Sequence, residues 1–167
     1  YSAPIWSKEV SVDVKVNAID VTGDVIIEGN PAKLNATVGN FGTQEVKNLK
    51  VDFYLDEKKE SNLIGTNTIS SIPSKGTGVA TTTWTSPIKG SHNIIAVVTS
   101  NDGLSLGDVT FTLPVLVKEP LGIKVVIDAA HGNENSSGDG GSYKDNLKAF
   151  TLLLQKEGYT VSENKTA

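Results

Sequence analysis

From residue 10 to residue 118 the chain repeats one unit, a short run in which apolar and polar side chains alternate, closed by glycine, proline, asparagine or aspartate. The first run, "VSVDVKVNAI", puts Val10, Val12, Val14, Val16 and Ala18 on one side and polar residues opposite. A period of two sends successive side chains to opposite faces of a strand, so each run predicts a strand with one buried and one wet face. Leu34, Ala36 and Val38 alternate after the Gly29-Asn30 turn signal and stop at Asn40-Phe41-Gly42. "NLKVDFYLDE" aligns Leu49, Val51, Phe53 and Leu55 before a charged tip, "DEKKES". "LIGTNTISSI", "GVATTTWTS", "SHNIIAVVTS" and "DVTFTLPVLV" continue the series, with Pro87-Ile88-Lys89-Gly90 as a turn. Short strands with a turn signal every ~8–12 residues and no helical period predict an all-β sandwich of immunoglobulin-like type.

Composition narrows the partners. All 15 basic residues are lysine and the net charge is −4, so the bidentate arginine contacts of nucleic-acid recognition are missing. No apolar run approaches the ~20 residues needed to cross a bilayer. The absence of cysteine excludes disulfides, thiolate metal sites and a cysteine nucleophile within these residues. A start at "YSAPIW" and the lack of methionine read as a processed part of something longer, with residues 1–9 as a linker. The polar, cysteine-free composition suits an extracellular or cell-surface chain. Three glycosylation sequons stand at Asn35, Asn135 and Asn164.

The segments "ATVGNFGTQEVKNLKVDFYLD", "LIGTNTISSIPSKGTGVATTTW" and "PIKGSHNIIAVV" resemble the CARDB modules, cell-adhesion-related domains of bacterial and archaeal surface proteins. The resemblance covers roughly residues 10 to 117. It implies that Asn40 and Gly42 make a bend after the second long strand, that Phe53 and Tyr54 sit in the next, and that Trp84 fills the core. It also implies an archaeal surface protein as the source.

The sandwich sequence offers little chemistry. His92 opens a strand after a Lys-Gly-Ser turn, which reads as a structural histidine more readily than as a ligand. Asp52, Asp56 and Glu57 lie near a loop tip, but Lys58 and Lys59 beside them oppose a calcium ion, and a solvated hairpin is the simpler reading. Trp6 and Trp84 read as linker and core packing rather than as a carbohydrate platform.

A second domain is expected over 119–167. Lys118-Glu119-Pro120 ends the last strand, and Ile123, Val125, Val126 and Ile127 form a continuous apolar run, the pattern of a strand covered on both faces. Ser142 to Asp145 fits a capping box. Leu147, Phe150, Leu153 and Leu154 then mark one buried helical stripe, Gly158 a left-handed cap, and Tyr159-Thr160-Val161 the next strand. The fold class is therefore mainly β: an immunoglobulin-like β-sandwich over 10–118, followed by an incomplete, truncated α/β strand-helix-strand.

Ligands of parallel sheets gather at the carboxyl ends of strands, where Asp128, His131 and the glycine-rich loop fall. With Asn133 and "LLQKEGYTV", these residues resemble glutamine-amidotransferase-like domains. "VIDAAHGN" is also similar to the first-strand motif of zinc-dependent N-acetylmuramoyl-L-alanine amidases, which would make His131 a metal ligand. The amidase proline-glycine pair is missing, Asn133 replaces a glycine, and Asp145 is a loose counterpart of the glutamate ligand. A catalytic zinc takes about three protein ligands, and one histidine is present here. Asp128, His131 and Asn133 are thus candidate ligand residues with no complete catalytic set, no metal is assigned and no cofactor is expected.

The reading is a non-enzymatic structural, adhesion or spacer module acting through protein contacts with other domains, with surface proteins or with itself. The alternatives are the accessory portion of an extracellular hydrolase completed after residue 167, and a filament or surface-layer subunit. Nucleic acid and a membrane span are not expected.

Overall fold

The computed structural model describes residues 11–128 and 144–164. Its strands are β1 (Val14–Val21), β2 (Ile26–Ile27), β3 (Ala32–Asn40), β4 (Val46–Leu55), β5 (Leu63–Ile72), β6 (Thr77–Trp84), β7 (Gly90–Ser100) and β8 (Val109–Lys118). Strand β9 (Lys124–Asp128), helix α1 (Lys144–Lys156) and β10 (Thr160–Asn164) follow. One sheet has the order β1-β3-β6, a second β2-β8-β7-β4-β5, and β9 pairs with β10 alone. This is the immunoglobulin-like sandwich predicted by the alternating runs, with one helix near the end of the chain. The chain divides into two compact units, the first holding residues 11–22, 31–84 and 91–115, the second 23–30, 85–90 and the described residues from 116 onward.

In the first unit the alternation decides what is buried. Leu34, Ala36 and Val38 of β3, Leu49, Val51 and Phe53 of β4, and Ile94 and Ala96 of β7 have no exposed surface. Burying a large apolar side chain stabilises by about 1.5–3 kcal/mol relative to leaving it in water, so these strands hold the sandwich together. Strand β1 departs from the expected pattern. Its register to β3 shifts between Val16 and Ala18, a bulge at Asn17 that reverses the parity of the strand. Val14 and Ile19 are buried as a result, while Val16 and Ala18 are only half-buried.

Asn40 builds the corner after β3. Its side chain is 1% exposed, and its Nδ2 donates to the carbonyls of Gln44 at 2.8 Å, Ile72 at 3.1 Å and Pro73 at 3.2 Å. Its Oδ1 accepts from the Gly42 N–H at 3.0 Å. Gly42 is required for space: a Cβ there would run into the Ser11 carbonyl and lie 3.0 Å from the Asp13 nitrogen. Both roles implied by the family resemblance are met.

In the second unit β2 runs parallel to the end of β8, with Ile26 opposite Val117 and Ile27 opposite Lys118. The Glu28 N–H donates to the Lys118 carbonyl at 2.8 Å, and the Gly29 N–H to that of Pro87 at 2.9 Å. Gly29 has a φ of 75°, the left-handed turn its sequence predicts. Further on, β9 and β10 are parallel, from Thr160 opposite Lys124 to Asn164 opposite Asp128. Gly158, at φ 89°, closes α1, and the Tyr159 N–H donates to the Leu154 carbonyl at 3.1 Å.

One expectation for α1 is corrected. Phe150 and Leu153, placed on the buried stripe, are 49% and 56% exposed, whereas Leu154 is half-buried. A sheet of two strands is too narrow to cover an apolar stripe of that width. Ser142, the expected helix cap, lies outside the described residues.

Candidate functional site

The polar side chains with the most specific geometry lie where β4 ends and β7 begins. Strand β4 pairs with β7 out to Leu55 opposite Ile94. Asp56 extends the ladder by one residue, its N–H donating to the Asn93 carbonyl at 2.8 Å. It then turns the chain with a φ of 62°, a left-handed conformation that aspartate tolerates better than most residues. Both carboxylate oxygens are engaged: Oδ1 accepts from the Asn93 N–H at 2.8 Å and Oδ2 meets His92 Nδ1 at 2.8 Å. The His92 hydrogen bond holds the Asp56 carboxyl below the ordinary aspartate range; partial burial opposes this, and the Asn93 N–H adds to it. The His92 ring meets Trp84 edge-on, centroids 5.7 Å apart and planes at 87°. Its side chain is 16% exposed.

A carboxylate that orients an imidazole is half of a nucleophile relay. Here the oriented ring packs against a core tryptophan that is itself 7% exposed, and the pair ties the start of β7 to the end of β4. His92 therefore takes the structural role expected of it, and Trp84 sits in the core.

The charged tip is held a second time. Lys58 Nζ reaches Thr110 Oγ1 on β8 at 2.8 Å and Asp108 at 3.6 Å, crossing β7 to do so. Thr110 Oγ1 in turn donates to Asp108 Oδ1 at 2.5 Å. The Thr110 hydroxyl first, then the Lys58 charge, keep the Asp108 carboxyl below its usual range.

The acidic residues of this region are not brought together. Asp52 is buried at 6% exposure, accepting from Thr66 Oγ1 at 2.6 Å and paired with Lys50 at 2.8 Å, while Asp56 faces His92 and Glu57 pairs with Lys59. The Asp52 hydrogen bond raises the pKa of Lys50. Among the described residues no three metal-ligating side chains converge, and no helix is long and apolar enough to cross a membrane.

Of the ligand candidates in the α/β segment, Asp128 is the last residue of β9, while His131, Asn133 and the glycine-rich loop lie outside the described residues. Of the sequons, Asn135 is outside them, Asn164 ends β10, and Asn35 lies mid-strand in β3, accepting from Thr81 Oγ1 at 3.0 Å and donating to Thr22 Oγ1 at 3.2 Å. Sequence reasoning missed the Asp56–His92 pair because the two residues are 36 positions apart. An aspartate ending one strand and a histidine opening another were its only signals.

No curated protein sequence matches the chain. Among solved structures, the CARDB domain of PF1109 from Pyrococcus furiosus, in complex with di-metal ions, superposes with a TM-score of 0.53 at 25% identity, over 66% of this chain and 97% of that one. A structure from Geobacter metallireducens gives 0.48 at 28%, over 60% and 92%. A 272–376 domain from Methanosarcina acetivorans, provisionally described as from a cell surface protein, gives 0.49 at 18%, over 64% and 92%. The CARDB sequence profile matches residues 10–105, more than half of the chain. That match spans the Asn40 corner, Trp84 and the Asp56–His92 tie, and with it the chain belongs to the CARDB family.

Proposed function

We propose that the chain is a non-catalytic structural and interaction module of a secreted or surface-anchored multidomain protein, holding or presenting neighbouring domains through protein contacts. The observation that carries this reading is how the sandwich uses its most specific polar groups. Asn40, Asp52, Asp56 and His92 each join one strand or turn to another, so their chemistry serves rigidity. Membership in CARDB supports a surface setting, as does a composition without cysteine or arginine. Antibodies against residues 11–118 should label intact cells of the source organism. Labelling only after permeabilisation would overturn the surface assignment, and turnover of peptidoglycan or polysaccharide by the purified chain would overturn the non-catalytic one.

A second reading, the accessory part of an extracellular hydrolase, is favoured by one observation. Strand β9 ends at Asp128 beside a parallel neighbour, the kind of strand end where such sheets collect ligands. The di-metal complex of the Pyrococcus domain makes divalent cations the first ligands to try. Calorimetric titration with zinc decides: tight binding lost in His131→Ala supports the hydrolase reading, and no binding removes it.

A further inference from the structure

The two sides of the sandwich treat their strand edges differently. An open edge is a row of unpaired backbone donors and acceptors, and proteins that stay apart blunt it with charge, proline, bulges or very short strands. On one side, β1 carries the Asn17 bulge and Lys15, and β8 carries Pro114 and is flanked by Asp108. Strand β2, two residues long, pairs only with the end of β8. Between β1 and β8 lies a groove of roughly 200 Å³ lined by Val14, Lys15, Val16, Asp108, Val109 and Thr110. Its two charged groups suit an edge kept apart from other chains.

On the other side run β5, "LIGTNTISSI", and β6, "TGVATTTW", ten and eight residues without a charged side chain or a proline. They are drawn close together: a Cβ on Gly78 would lie 2.7 Å from Ile69 Cγ2, and one on Gly65 would run into Thr82 Oγ1. Strand β5 has an irregular register opposite Phe53 and Tyr54. Strand β6 has none, pairing with β3 in unbroken register from Ala32 opposite Trp84 to Gly39 opposite Thr77. Among the described strands β3 is its only sheet neighbour. Lys75, in the turn between β5 and β6, is drawn to the Phe41 carbonyl instead of guarding the edge. On the outer face of β6, Val79 is 56% exposed and Thr83 is exposed.

We infer that β6 is a docking edge and that its occupant is β6 of a second copy of this chain, paired antiparallel so that two three-stranded sheets join across a two-fold axis. The proposal rests on the interaction-module reading and names the partner and the site. Charge selects the partner: opposed like charges destabilise a strand pair, and β6 against itself opposes only threonine, valine, alanine and glycine, with Trp84 at one end. A two-fold pairing of one patch with itself is also the commonest closed assembly. Its strength follows from its size. Eight residues at ~3.3 Å each span ~26 Å, and across a sandwich ~20 Å thick that is ~500 Å² per partner, below the ~800 Å² of a stable complex. The pairing is therefore weak in free solution and becomes significant where tethering raises the effective concentration.

Sedimentation equilibrium of the chain should show monomer at low protein concentration and dimer as it approaches about 1 mM, the affinity range of a weak contact. The double variant Val79→Lys, Thr83→Lys should stay monomeric with an unchanged thermal midpoint, since both side chains are exposed. Hydrogen exchange on the unaltered chain supplies a second readout: β6 amides should gain protection with concentration while β1 amides do not. Wild-type protein that remains monomeric throughout, a double variant that associates as well as wild type, or protection gained at β1 in place of β6 would each overturn the proposal. Failure here leaves surface labelling of cells untouched, whereas hydrolytic turnover would sink the module reading without affecting dimerisation.

Discussion

His92 Nδ1 stands 2.8 Å from Asp56 Oδ2 while the same imidazole meets Trp84 edge-on, so one side chain joins a hairpin to the core. Replacing His92 with alanine removes an aromatic contact of ~0.5–1.5 kcal/mol and the partner of a carboxylate. His92→Ala should therefore lower the urea midpoint by roughly 1–2 kcal/mol in free-energy terms, with the far-UV spectrum preserved. His92→Phe should recover part of the loss through packing alone.

The same pair sets a pH dependence. The native carboxyl of Asp56 titrates below its unfolded value, and a depressed carboxyl contributes stability that is fully present above the unfolded pKa and lost as pH falls through the native one. Asp108 and Glu45 shift in the same direction, Glu45 through the Ser71 hydroxyl and then Lys47. Chemical denaturation at stepped pH should give a plateau above about pH 5 and a decline below about pH 4. Asp56→Asn should have a shallower decline than wild type; an identical slope would show that the Asp56 tie contributes nothing.

Asn40 is the polar residue whose loss should cost most. Its amide serves three carbonyls and one N–H while 1% exposed, and each net hydrogen bond is worth ~1 kcal/mol with a further penalty for buried partners left unpaired. Asn40→Ala should cost ~3 kcal/mol by urea unfolding. Asn40→Asp should cost at least as much, because a carboxylate would face the carbonyls of Gln44, Ile72 and Pro73.

Two phenylalanines should behave oppositely. Phe53 has no exposed surface, and Phe53→Ala should destabilise by ~3–5 kcal/mol. Phe150 is 49% exposed on α1, so Phe150→Ser should leave the thermal midpoint of the sandwich within a few degrees of wild type. Differential scanning calorimetry reads both.

The sandwich was legible because alternation is a direct record of burial. Leu49, Val51 and Phe53 are spaced by two, and all three lie inside. The bulge at Asn17 was not legible, since an extra residue changes parity without changing composition, and so Val16 was expected deeper than it lies. The bend at Asn40 and Gly42 was readable only through family resemblance, because its warrant is the close approach of residues 11–13, which no local pattern encodes. The Asp56–His92 tie depends on the pairing of β4 with β7, a long-range event. On α1 the stripe told which side chains seek cover, while the narrowness of the sheet beneath decided which receive it.

Parallel pairing of β2 with β8 has a mechanical consequence. The Glu28 and Lys118 backbones are linked close to where the sandwich is entered and left, and the two strands point the same way. A pull on the two ends of the sandwich drags these strands in opposite directions along their own axes. The linking bonds must then slide and fail together instead of peeling open one after another, the arrangement by which a link in a strained chain resists tearing.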